Sequence, residues 1–196
     1  QEVFIMQLIS FCQQAFPPSL YLRPYHILST GPHSGLIEFV PDTASLDRLK
    51  RSQGFVSLRD HFERAYGGPS SEAFAVAQQN FLSSLAAYCA VTYIFAIKDR
   101  HNGNIMLHRD GHLLHIDFGF VLGKAPGGMA SLEASVPFKL TREMVDVLGG
   151  ETSPLFTEKL PQLITAAMSA ARHHADTFIS LIEITMLNSG LPCFEV

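Results

Sequence analysis

The first forty residues change from a helical to a strand-like pattern of hydrophobic positions. Residues 3–16 repeat apolar side chains at helical spacing, and Pro17-Pro18 then stops the helix. Two short runs rich in strand formers follow, Leu20–Ser29 and Leu36–Val40. The link between them, Thr30–Gly35, has the composition of a hairpin turn. The pattern therefore predicts one helix followed by two strands.

After Pro41-Asp42 the chain becomes mostly helical. The expected elements are short charged helices over 43–66, a long helix over about 71–97, a hairpin turning at Asp110-Gly111, and helices near 141–148, 156–173 and 175–188. This order predicts an α+β fold, with the strands early and a helical body late. The Val40–Asp42 link is expected to act as a hinge between two lobes, where a ligand cleft is usual.

One apolar stretch has the minimum length of a membrane span. Phe81–Ile97 contains seventeen residues without a charge, which is the lower limit for a helix that crosses a bilayer. Polar side chains such as Ser83 and Thr92 interrupt it, and the helical pattern extends upstream through Gln78. We therefore interpret it as a buried core helix of a soluble protein.

Composition narrows the class of protein further. The 196 residues are 47% hydrophobic and 16% charged, which excludes a disordered chain. A formal net charge of −4 argues against binding to nucleic acid through phosphate neutralisation. Three widely spaced cysteines do not match a zinc motif or an even set of disulfides, so a reducing intracellular compartment is expected.

Two polar segments carry the candidate chemistry, 99–105 (DRHNGNI) and 115–120 (HIDFGF). Asn104 and Asp117 offer hard oxygen ligands of the kind that Mg²⁺ prefers beside phosphate oxygens. The predicted hairpin between them returns its ends to the same side, so both should face one metal–nucleotide site. Asp99 and His101 are both candidate general bases, and these residue types do not decide between them. Arg100 can hold a carboxylate or a phosphate.

These two segments resemble the catalytic and activation loops of the phosphatidylinositol 3-/4-kinase superfamily. The order Asp-Arg-His points to its lipid-kinase branch, and Phe120 argues against the related protein kinases, which carry an acid there. Two further segments resemble the strand and hinge region of this superfamily, 22–25 (LRPY) and 35–40 (GLIEFV). The later segments resemble type III phosphatidylinositol 4-kinases, and most of all the beta form: 138–141 (FKLT), 145–150 (VDVLGG) and 191–194 (LPCF).

The resemblance implies a protein-kinase-like fold with two lobes. Residues 1–41 would form part of the N-lobe and the hinge. Residues 42–196 would form most of a mainly helical C-lobe, with the catalytic loop at 98–106 and the activation loop at 117–139.

The resemblance also implies roles for individual residues. Asn104 and Asp117 would hold Mg²⁺ (or Mn²⁺) at the phosphates of ATP, and His101 would act as base with support from Asp99. Backbone groups of Glu38 and Val40 would bind adenine. The remaining nucleotide-binding residues would be Ile37, at the back of the pocket, and Ile116.

The expected substrate is plain phosphatidylinositol. In the loop from Phe120 to Lys139, the only basic residues are Lys124 and Lys139, offset by Glu133. A kinase acting on an already phosphorylated inositide would need several cations for the extra phosphates. Two lysines suit a headgroup with one phosphodiester.

The leading functional hypothesis is therefore an ATP-dependent lipid kinase that converts phosphatidylinositol to phosphatidylinositol 4-phosphate in phosphoinositide signalling. The alternatives are a non-catalytic kinase-like binding module and a phosphatidylinositol 3-kinase. The expected partners are ATP, phosphatidylinositol in a membrane, and a recruiting adaptor or small GTPase, with no nucleic acid. The resemblance implies a cytoplasmic protein, peripheral on internal membranes of the Golgi type.

Two parts of a kinase site are not found in this sequence. No glycine-rich phosphate loop occurs, and the first lysine, Lys50, follows the hinge. In the family both parts precede the first helix, where Glu2 would pair with the lysine. We therefore expect a catalytic domain truncated at both ends, with little kinase activity in these 196 residues alone.

Overall fold

A computed structural model of the chain describes residues 1–31, 34–127 and 135–194. In chain order the elements are α1 (Glu2–Ala15), β1 (Ile27–Gly31), β2 (Ser34–Ile37), β3 (Thr43–Ser45), α2 (Leu46–Lys50), α3 (Leu58–Tyr66), α4 (Glu72–Ile94), β4 (Ile105–His108), β5 (Leu113–His115), α5 (Arg142–Val147), α6 (Leu160–His173) and α7 (Ala175–Met186). A π-helical turn, Leu155–Lys159, leads into α6, and a 3-10 turn, Pro192–Phe194, follows α7. The mixture of helices and small sheets confirms the predicted α+β class.

The first sheet is the hairpin of β1 and β2, and its first strand is shorter than predicted. The two strands pair antiparallel, with Ile27 opposite Ile37. The preceding run from Leu20 is extended but forms no ladder in the described chain. Pro24 has no N–H to donate, and the N–H of Arg23 donates to the Tyr88 hydroxyl at 3.3 Å instead.

The long helix α4 is the centre of the core, as predicted. It begins at Ser71, whose hydroxyl accepts a hydrogen bond from the N–H of Phe74, and every residue from Phe81 to Thr92 is buried. One side of α4 packs with α1, and the other packs with α3 and β5. No helix in the described ranges has both the length and the apolar character needed to span a bilayer.

The second sheet has the order β3-β4-β5, and its strand β4 begins at Ile105, directly after the polar segment 99–104. The predicted hairpin is confirmed, and its turn docks on α4. Gly111 has φ +97°, and a Cβ there would lie 2.5 Å from the backbone oxygen of Ala77, so only glycine fits. The strand β3 was predicted as part of a helical segment. Its three residues form a strand because they pair with β4, with Ala44 opposite Leu107.

Candidate active site

The first of two clefts lies beside both sheets and has a volume of about 390 Å³. Two apolar residues that pair across β4 and β5, Met106 and Leu114, line it. Residues 37–40, which begin with the last residue of β2, and Asp117 line it as well. The cleft thereby brings together all the residues that the sequence predicted to bind a nucleotide, namely Ile37, Glu38, Val40, Ile116 and Asp117.

Glu38 fixes the hinge through both its backbone and its side chain. Its N–H donates to the carbonyl of His26 at 2.8 Å, and its carboxylate accepts the N–H of His26 at 2.8 Å and pairs with Arg23. The hydrogen bonds from His26 and then Arg23 lower the pKa of Glu38 to about 2. In the described chain no protein partner occupies the carbonyl of Glu38 or the N–H of Val40. These two groups are open to a ligand in the cleft.

The position of Ile37 differs from the expected one at the back of the pocket. Its side chain lines the cleft but is 64% exposed. The reason is that β2 pairs only with β1 in the described ranges, so that nothing there covers its other edge. Phe39, on the same stretch, is 84% exposed and also lines the cleft.

Arg100 ties the catalytic loop to the segment around Asp117. Its guanidinium donates to the carbonyl of Lys98 at 2.9 Å and that of Ile116 at 2.8 Å, and it also binds the carbonyl of Asp117. The residue is 6% exposed, so it points into the protein. The sequence suggested a carboxylate or phosphate partner for Arg100, whereas its buried side chain stabilises backbone carbonyls.

Asn104 and Asp117 are brought to one place by the hairpin. The N–H of Ile116 donates to the carbonyl of Asn104 at 3.1 Å, so the two ends of the hairpin are adjacent. The side-chain amide of Asn104 donates to the carbonyl of Asp99 at 3.0 Å, which leaves its Oδ1 without a donor in the described chain. An amide oxygen next to a carboxylate is a donor set that suits Mg²⁺.

Both aspartates of the site have a left-handed backbone. Asp99 has φ 60° and Asp117 has φ 61°. Such a conformation is uncommon outside glycine and is tolerated best by Asp and Asn. The residue type at both positions therefore fits the backbone conformation found there.

The hydrogen bonds of His101 distinguish its two ring nitrogens. The N–H of Gly103 donates to Nδ1 at 3.0 Å, while Nε2 lies 3.9 Å from the Asp99 carboxylate. A neutral imidazole that accepts at Nδ1 carries its proton on Nε2. In this tautomer Nε2 is a donor, so His101 has no free lone pair directed at Asp99.

A second cleft, of about 400 Å³, lies beside the catalytic loop. Asp99, His101, Lys98 and Lys139 all line it. The ammonium of Lys139 donates to Oδ1 of Asn102 at 2.8 Å, and that of Lys98 donates to the carbonyl of Val136 at 2.7 Å. Two lysines therefore lie on the side of the loop where the candidate bases are.

Lys124 does not lie with Lys139, although the sequence grouped the two. The chain turns at Leu122 and Gly123, which both have positive φ. Burial raises the pKa of the Cys193 thiol, and the charge of Lys124 partly offsets that rise. Lys124 is not among the described residues that line either cleft. Glu133, predicted to offset these lysines, lies outside the described residues.

The start of α1 docks on the segment that follows Asp117. A carboxylate oxygen of Glu2 accepts the N–H of Phe118 at 2.5 Å, and the other accepts the hydroxyl of Tyr25 at 3.3 Å. Burial is the main cause that raises the pKa of Glu2. Glu2 also lines the first cleft, where the sequence expected it as the acid partner of a lysine.

Several residues that line the two clefts were missed by sequence reasoning, among them Met106, Leu114 and Lys98. Met106 and Leu114 lie opposite each other in the predicted hairpin, and strand alternation could have assigned them to one face. Lys98 directly precedes Asp99, so its position in the chain was a usable signal. The headgroup was expected to contact only the loop after Phe120, and Lys98 precedes that loop.

Comparison with known proteins finds one matching family and several similar curated proteins. The family "Phosphatidylinositol 3- and 4-kinase" matches residues 1–196. Similar curated proteins include a phosphatidylinositol 4-kinase of Dictyostelium discoideum, 48% identical over 99% of this chain; phosphatidylinositol 4-kinase stt4 of Schizosaccharomyces pombe, 41% identical over 100%; and phosphatidylinositol 4-kinase beta of Rattus norvegicus, 43% identical over 97%.

The match covers nearly all of this chain but a small part of each relative. The aligned region spans 16% of the Dictyostelium protein, 10% of the fission yeast protein and 23% of the rat protein. A family match over every residue, together with identities of 41–48%, leaves no ambiguity about descent. The chain belongs to the phosphatidylinositol 3- and 4-kinase family.

Proposed function

We propose that this chain carries the catalytic centre of a 1-phosphatidylinositol 4-kinase, which transfers the γ-phosphoryl group of ATP to the 4-hydroxyl of phosphatidylinositol. One observation carries the proposal: Asp117 lines the first cleft, Asp99 lines the second, and Asn104 lies between them. A phosphoryl donor and an acceptor can then meet at the catalytic loop. The names of the relatives support both the lipid and the position of the hydroxyl.

The first cleft would hold the nucleotide. The open N–H of Val40 would donate a hydrogen bond to adenine, and the open carbonyl of Glu38 would accept one from it. Met106 and Leu114 would pack against the ring. Oδ1 of Asn104 and the carboxylate of Asp117 would hold Mg²⁺ or Mn²⁺. The ion, when bound, neutralises charge that develops on the phosphate oxygens during transfer.

Asp99 is the better candidate for the general base. Asp99 lines the second cleft, where the acceptor would bind. The side-chain nitrogen of Asn104 lies 3.5 Å from Oδ2 of its carboxylate. Asp99 would accept the proton of the inositol hydroxyl as the new bond to phosphorus forms and the bond to ADP breaks. The Nε2–H of His101 faces the same oxygen of Asp99 and would stabilise the negative charge there.

Lys98 and Lys139 would bind the phosphodiester of the headgroup. Charge-assisted hydrogen bonds to phosphate are worth about 1.5–3 kcal/mol. The two ammonium groups replace the pair that the sequence suggested, because Lys98 lines the second cleft and Lys124 does not. Two lysines still match a headgroup that carries a single phosphodiester.

Substituting either cleft lysine is expected to weaken lipid binding. In the full-length protein, Lys98→Met and Lys139→Met should each raise the KM for phosphatidylinositol in vesicles by about tenfold, with the KM for ATP within about twofold of wild type. Lys124→Met serves as the matched comparison and should leave both constants near wild type. Equal effects of the three substitutions would contradict the assignment of the second cleft.

The proposed reaction is tested by product analysis. The full-length protein is incubated with phosphatidylinositol vesicles, Mg²⁺ and labelled ATP, and the product is deacylated and separated by position of the new phosphate. Label at the 4-position supports the proposal. Label at the 3-position would indicate the alternative regiochemistry, and no label under conditions where ATP binds would indicate a non-catalytic module.

Recruitment to a cytoplasmic internal membrane by an adaptor or small GTPase is part of the same proposal. The net charge of −4 disfavours spontaneous binding to an anionic bilayer, which supports a protein partner. Imaging of the tagged full-length protein beside Golgi markers tests the location. A uniform cytosolic signal would contradict it.

A further inference from the structure

An apolar groove adjoins the second cleft at Leu140. Its volume is about 540 Å³, and its apolar lining comes from Leu140, Phe156, Leu160, Pro161 and Ile164. Leu140 lines both the cleft and the groove, so the two spaces are adjacent and, among the described residues, only this side chain is common to them. The groove runs along the π-helical turn and the first part of α6.

The lining changes from charged in the second cleft to apolar in the groove. The cleft end has Lys98, Lys139 and the candidate base Asp99, whereas no charged side chain lines the groove in the described chain. The polar lining of the groove consists of two threonines, and the hydroxyl of one of them, Thr157, already donates to the carbonyl of Ser153 at 3.0 Å. A ligand that fills both spaces must be charged at one end and apolar at the other.

We propose that the groove binds an acyl chain of the lipid substrate while the headgroup occupies the second cleft. The inference rests on the proposed function, because it concerns the same substrate. A chain bound here would lie in continuity with a phosphodiester held by Lys98 and Lys139. An apolar segment of a partner protein would have no need of a cationic cleft at one end of its groove. A phospholipid has both a charged headgroup and an apolar chain, so it matches the cleft and the groove together.

The proposal is tested with water-soluble substrates in the absence of any bilayer. The full-length protein is assayed with dibutanoyl and dioctanoyl phosphatidylinositol, both below the concentration at which they aggregate. Each buried methylene adds roughly three- to fourfold to binding. We expect kcat/KM to be about tenfold or more higher for the dioctanoyl lipid.

A charge in the groove should abolish this chain-length preference. Thr165 lines the groove and is exposed, so Thr165→Glu should fold normally and bring the ratio of the two kcat/KM values close to one. Thr177→Glu, at an exposed position on α7 outside the groove, is the matched control and should keep the wild-type ratio.

Other results would overturn the inference. A wild-type ratio near one, or a Thr165→Glu ratio equal to wild type, would show that the groove does not take the chain. Loss of self-association or of a bound protein in Thr165→Glu, with the ratio unchanged, would assign the groove to a protein partner. No turnover of either soluble lipid, or of phosphatidylinositol in vesicles, by wild type would refute the proposed function itself, and the inference with it.

Discussion

Replacing Asp117 by Asn is expected to lower kcat for phosphatidylinositol phosphorylation by about 10³-fold. The substitution removes a carboxylate that the proposed metal site needs, but it keeps the size of the side chain. Asn also tolerates the left-handed backbone of this position, and the hydrogen bond from Arg100 goes to the backbone carbonyl, which is unchanged. Initial rates of the full-length protein at saturating ATP measure the effect.

Asp42→Asn is the matched control for this substitution. Asp42 also has a left-handed backbone, with φ 57°, and its carboxylate pairs with Arg109 at 3.3 Å. It lines neither cleft in the described chain, so kcat should stay within about twofold of wild type. If Asp117→Asn retained more than about a tenth of the wild-type kcat, the metal site would have to be reassigned.

Asp99→Asn is expected to cost about 10³-fold in kcat, and His101→Gln only about tenfold. The difference follows from the tautomer of His101. The N–H of Gly103 uses the lone pair of Nδ1, so the proton of the ring is on Nε2. Gln can still accept the Gly103 N–H, whereas Asn at position 99 cannot take a proton. Single-turnover rates of the full-length protein isolate the transfer step from product release.

A larger loss in His101→Gln than in Asp99→Asn would make His101 the base. That outcome would require the imidazole to rotate away from Gly103 when substrate binds. Gly103 leaves room for the ring in its present place, because a Cβ there would lie 2.8 Å from the imidazole. Gly103→Ala should therefore displace His101 and lower kcat at most as much as His101→Gln does.

The elements with strong local patterns were predictable from the sequence. The central helix and the β4–β5 hairpin were found because a long apolar run and an Asp-Gly turn are local signals. The grouping of Asn104 with Asp117 followed from the geometry of that hairpin. For the central helix and this hairpin, local sequence patterns were enough to predict the structure.

The remaining features depend on contacts between distant residues. The three residues of β3 form a strand only because β4 offers them a partner, and no local pattern announces it. Likewise, Lys124 lies outside the second cleft because the chain turns at Leu122 and Gly123. Lys98, in the segment that follows α4, lines the second cleft. Side-chain direction after a turn is set by backbone angles that spacing does not encode.

The roles proposed for the left-handed Asp99 and Asp117 place the demands of catalysis and of folding in opposition. A conformation of this kind costs on the order of 1–3 kcal/mol per residue relative to relaxed backbone. Glycine at position 99 or 117 would relieve that cost and raise the melting temperature, yet it would remove the carboxylate. Selection for thermal stability alone would therefore erode this site, and stabilised variants of the protein should be screened for turnover as well as for heat resistance.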